Sequence, residues 1–74
     1  MEVIQVLTTT AIRKDRKGRS NIGIKVQDTK TGSEFWINHY GFESRPIVKY
    51  GYYELGWRAD FAYIVRRLAP KKAA

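Results

Sequence analysis

The sequence predicts an all-β fold: a small five-stranded OB-like Greek-key barrel, with an SH3-like barrel as the alternative. Three observations lead there. Short segments rich in β-branched and aromatic residues recur along the chain, clusters of turn formers separate them, and no stretch reads unambiguously as helix. At 74 residues the chain supports one domain, which buries only about 60% of the surface its unfolded form exposes. That domain is expected over residues 1–70, followed by a flexible basic tail at 71–74.

The first strand is expected from Val3 to Ile12, where β-branched residues dominate and Thr8, Thr9 and Thr10 run consecutively. "RKDRKGR" follows. Gly18 within it and Ser20-Asn21 just after it make it a turn or hairpin tip. Ile22, Ile24 and Val26 then alternate with Gly23, Lys25 and Gln27, the period of a half-buried strand with Lys25 outside. "DTKTGSE" is a turn, since its Asp, Thr and Ser side chains bond locally to backbone and Gly32 accepts a positive φ. In the next strand Phe35, Ile37 and His39 point one way, and Trp36, Asn38 and Tyr40 the other.

Residues 41–46 read as an irregular connection, because Pro46 lacks an N–H and restrains Arg45. A long strand or bent pair is expected over Val48–Trp57, with Gly51 and Gly56 as bulge or bend points. "DFAYIVRRLAP" fits both a helical stripe and a strand. Its aromatic and β-branched content favours a last strand, ended by Pro70.

Cysteine is absent, so no disulfide or thiolate metal site supplements the core. No apolar run approaches the roughly 20 residues that cross a bilayer, and the N-terminus has no basic start before its apolar stretch. The expected location is the cytoplasm, the host's if the chain is viral. "RADFAYIVRRLAPKK" is the only candidate for a basic membrane-surface helix, and the strand reading is preferred there. No membrane partner is expected.

Catalytic chemistry finds no support. His39 is the only histidine, the seven carboxylates show no metal spacing, no serine sits in a nucleophile elbow, and the glycines form no phosphate-cradling fingerprint. No catalytic residue, metal, cofactor or small-molecule substrate is expected. The strongest global feature is charge, 14 Lys plus Arg against 7 Asp plus Glu, a formal +7. A polyanion is the expected partner, and nucleic acid, an anionic membrane surface and an acidic protein all qualify on charge alone. Two Trp, five Tyr and three Phe are too many rings for so small a core, so some should face solvent beside the cations. A single strand needs that combination: charge for phosphates and flat faces for unstacked bases.

The pattern resembles the gene V type of single-stranded-DNA-binding proteins from filamentous bacteriophages. Arg13, Arg16 and Arg19 would occupy that family's DNA-binding hairpin. "GYYEL" is similar to its Gly-x-Tyr-x-Val/Leu strand at Gly51, Tyr53 and Leu55, and "RLAPK" to its Arg-Leu-x-Pro close at Arg67, Leu68 and Pro70. The resemblance implies an OB-like fold, cooperative coating of single-stranded DNA and a homodimer. One departure stands out: Gly18-Arg19-Ser20-Asn21 replaces the family's Gly-x-Pro-Tyr, so its base-stacking tyrosine has no counterpart there.

The expected function is therefore non-catalytic, largely sequence-independent binding of single-stranded nucleic acid, DNA before RNA. Phosphate contacts are assigned to Arg13, Lys14, Arg16, Lys17, Arg19, Lys25, Arg58, Arg66 and Arg67, and base stacking to Trp36, Tyr40, Tyr52 and Trp57. Two alternatives share the charge pattern. One is a phage-type regulator that docks on a host protein such as RNA polymerase; the other is an SH3-like module that binds duplex DNA.

Overall fold

The computed structural model describes residues 1–69. The expected stop at Pro70 and the tail at 71–74 lie outside the described residues. Six strands follow one another: β1 (Glu2–Thr9), β2 (Arg13–Lys14), β3 (Ser20–Asp28), β4 (Glu34–His39), β5 (Tyr52–Arg58) and β6 (Phe61–Leu68). Among the described residues every ladder is antiparallel. β1 pairs β3 on one edge and β5 on the other, β3 also pairs β2 and β4, and β5 pairs β6. The order β4-β3-β1-β5-β6 is a three-stranded meander plus a hairpin that returns to the free edge of β1. β4 and β6 touch across the remaining gap. The result is a small OB-like barrel of five arms, because β2 continues the arm that β1 begins.

Period-two alternation builds the core. Ile4 and Val6 of β1 meet Ile22, Ile24 and Val26 of β3, Ile37 of β4, Tyr53 and Leu55 of β5, and Ala62 and Ile64 of β6. Ile4, Val6, Ile24 and Val26 are fully buried, each contributing about 1.5–3 kcal/mol of burial. Their strand neighbours Lys25 and Trp36 point outward, as the alternation predicts.

The first strand stops at Thr9, three residues short of the predicted Ile12. A register shift between Val6 and Thr8 makes a bulge. A second offset follows, since four steps from Thr9 to Arg13 oppose only three from Ile24 to Asn21. Bulges bend a strand and steepen its twist, and here they curl the β1–β2 arm over the barrel. The final segment settles as strand over Phe61–Leu68: β6 pairs β5 from Arg58↔Phe61 to Tyr52↔Leu68.

The predicted strand over Val48–Trp57 begins only at Tyr52. Val48 to Gly51 form a turn closed by Gly51 N–H donating to Val48 O (2.9 Å), with Tyr50 in the left-handed region at φ 66°. Gly51 thus lies at a bend, as expected, whereas no bulge falls at Gly56; the register shifts between Glu54 and Leu55 instead. Gly56 serves packing, for a Cβ there would stand 2.7 Å from Tyr63 Cζ. Residues 41–47 cross the gap between β4 and β6. The buried His39 donates from Nε2 to Arg45 O (3.0 Å), and Arg45 Nη1 donates to the carbonyls of Ile64 and Val65 (3.1 and 3.2 Å).

Ala59 and Asp60 make the two-residue β5–β6 turn, and Ala59 sits at φ 55°. A left-handed L-residue costs about 1–2 kcal/mol, while glycine adds about 0.5–1 kcal/mol of chain entropy to the unfolded state. Ala59→Gly is expected to stabilise by about 0.5–1 kcal/mol, raising the melting temperature by roughly 2–8 °C. A lower melting temperature would show that the turn relaxes at no cost.

Candidate nucleic-acid interface

The basic cluster is the tip of the β2–β3 hairpin, and one carboxylate shapes it. Asp15 Oδ1 accepts from the backbone N–H of Lys17 and of Arg19, both at 2.9 Å, while Gly18 takes the left-handed position at φ 78°. Asp15 Oδ2 accepts from Arg19 Nε (3.2 Å) and from the Tyr40 hydroxyl (3.1 Å). The Arg19 backbone N–H is the strongest influence holding this carboxyl below its ordinary value near 3.8, helped by the Tyr40 hydroxyl and the Lys17 N–H. Folding lowers this pKa, so the stabilisation is full above the unfolded value and lost as pH falls through the folded one. The tip is thus fully organised at neutral pH.

Cations and rings share the outer face of β3 and β4. Lys25 stands directly opposite Trp36, which is 56% exposed. Arg13 reaches across Gly23 and donates from Nη2 to Asn38 Oδ1 (3.0 Å). Glycine leaves that path open: a Cβ on residue 23 would lie 2.8 Å from Arg13 Nη2, so the guanidinium would have to shift. The Arg19 guanidinium carbon sits 4.8 Å above the centre of the Tyr40 ring. Part of the charge is answered locally: Lys25 pairs with Glu34 (3.3 Å) and Arg19 with Asp15. Among the described residues Arg13, Lys14, Arg16 and Lys17 have no ion-pair partner.

Other predicted contact residues lie elsewhere. Trp57 is half exposed, but it packs on Phe35 (centroids 6.4 Å apart) and donates from Nε1 to Glu2 Oε1 (3.0 Å). Tyr52 lines a separate open groove of about 660 Å³ with Gln5, Gln27 and Leu68. Arg66 is held by Glu54 at 2.8 Å, and Arg67 flanks a groove beside Ile47 and Val48. Arg58 faces Phe61 across the β5–β6 turn.

Sequence reasoning missed Phe61, 43% exposed and 6.4 Å from Tyr40. Nothing in local sequence signals that residues 40 and 61 meet, because closure of the barrel brings them together. It also passed over Asp15 as a turn former, although an Asp three residues before a Gly is a recognisable turn signal. Among the described residues no three His, Asp or Glu side chains are grouped to hold a metal ion, and none contains a helix able to cross a membrane. No protein-family model, curated protein or solved structure matches the chain.

Proposed function

We propose that this chain is a non-catalytic, largely sequence-independent binder of single-stranded nucleic acid, DNA before RNA, acting as a homodimer. One observation carries the reading: Arg13, Arg19 and Lys25 lie on the same outer face as Trp36 and Tyr40. OB-type barrels bind oligonucleotides on the face of their second and third strands and the loop between the first and second. Here those elements are β3, β4 and the basic tip. The unpaired tip cations supply counterion release and the rings supply stacking, neither of which needs a particular base sequence. The resemblance to the gene V type supports the same class and adds the homodimer.

Tryptophan fluorescence tests it. Titration with oligo-thymidine is expected to quench emission, more weakly at higher salt, and a duplex of equal length should bind less well. Trp36→Ala should cost about 1.4 kcal/mol, roughly tenfold in affinity. Preference for the duplex overturns the reading in favour of groove binding. Indifference to both nucleic acids points to a protein partner.

A further inference from the structure

Four side chains converge where the tip meets the barrel: Asp15 and Arg19 from the hairpin, Tyr40 after β4, and Phe61 at the start of β6. Tyr40 and Phe61 form a two-ring ledge, centroids 6.4 Å apart and planes inclined by 35°. A cation covers one of those rings. Arg19 lies over Tyr40 with its side chain 65% exposed, and Asp15 is its one anionic partner among the described residues.

This arrangement copies the contacts a nucleotide would make. A guanidinium on an aromatic face occupies the place of a stacked base, and the carboxylate that holds it stands where a phosphate oxygen sits in an arginine–phosphate pair. The two oxygens of Asp15 also divide their roles. Oδ1 shapes the turn through the backbone N–H groups of Lys17 and Arg19, whereas Oδ2 holds Arg19 and Tyr40.

We propose that Tyr40 and Phe61 form a stacking subsite for one unpaired base, which the free protein keeps covered by Arg19, with Asp15 competing against backbone phosphate for that arginine. The inference rests on the single-strand reading above. When a strand binds, a phosphate takes Arg19 from Asp15 Oδ2, the guanidinium leaves the Tyr40 face, and a base lies there against Phe61. The turn itself persists, because Oδ1 keeps its backbone donors.

The test measures anisotropy of labelled oligo-thymidine, and of an abasic strand of equal length, with the full chain. Asp15→Asn retains an oxygen for the turn and loses the ion pair. It is expected to tighten thymidine binding roughly 3- to 10-fold, an effect that shrinks below about twofold in an Arg19→Gln background. Phe61→Leu should weaken thymidine binding roughly 5- to 10-fold and leave the abasic strand unaffected, with Phe61→Met as a second variant should leucine impair folding. Equal tightening with and without Arg19 overturns the competitor role, since the carboxylate then acts only as diffuse charge. Equal effects of Phe61→Leu on both strands, or none on either, overturn the subsite while the single-strand reading stands. A wild-type protein that binds neither strand removes that reading and the subsite with it.

Discussion

Replacing Arg13, Lys14, Arg16 and Lys17 together by alanine is expected to abolish most of the salt dependence of single-strand binding. Each phosphate neutralised on a single strand contributes about 0.7 to the slope of log affinity against log salt, so four contribute about 2.8. At about 0.1 M salt that corresponds to a loss of roughly 600-fold, measured from the molar range where the contribution vanishes. These four are the right set because among the described residues none has an ion-pair partner to compete with phosphate, unlike Arg19 and Lys25. The hairpin should survive, since Asp15 and Gly18 shape its tip and neither is altered. Thermal stability is expected to hold or rise slightly as self-repulsion falls. A variant that melts like the wild type yet keeps the full slope would place the phosphate track away from the hairpin.

The same tip shows how far sequence reading reaches. Alternation assigned Ile22, Ile24 and Val26 inward and Lys25 outward, and the next strand placed Trp36 and Tyr40 opposite Ile37, because both faces of a strand are written at a period of two. Within one hairpin, that suffices to put cation beside ring. It does not say which distant strands close the barrel. Tyr40 and Phe61 are 21 positions apart and meet only because β6 returns to β4. Trp57 and Trp36 look alike in sequence and are comparably exposed, but Trp57 belongs to a cluster with Phe35 and Glu2. Tyr50 illustrates the opposite failure. Its β-propensity argues for strand, whereas tertiary hydrogen bonds, Tyr50 N–H to Val6 O (2.7 Å) and Val6 N–H to Gly51 O (3.0 Å), hold the chain in a turn there.

Ile24→Ala is expected to bring the free protein close to unfolding, and a bound oligonucleotide to restore it. Ile24 is fully buried in the middle of β3, opposite Thr9 on one side and Ile37 on the other, so the methylenes it loses come from the centre of the barrel. Such truncations cost about 2–5 kcal/mol, against a total of roughly 4–11 kcal/mol for a domain of this length. No disulfide limits the unfolded chain. The melting temperature should fall by at least about 8 °C, while Ile24→Val should cost only about 0.5–1.5 kcal/mol. Lys25 and Trp36 flank this position on the outer face, so the interface exists only while the β3–β4 register does. Oligo-thymidine at about 100 times its dissociation constant should then return about 2.7 kcal/mol, visible as a concentration-dependent rise in melting temperature in both wild type and variant. A rise confined to duplex DNA, or none with either, would separate the stability of the barrel from single-strand binding and leave the core argument standing alone.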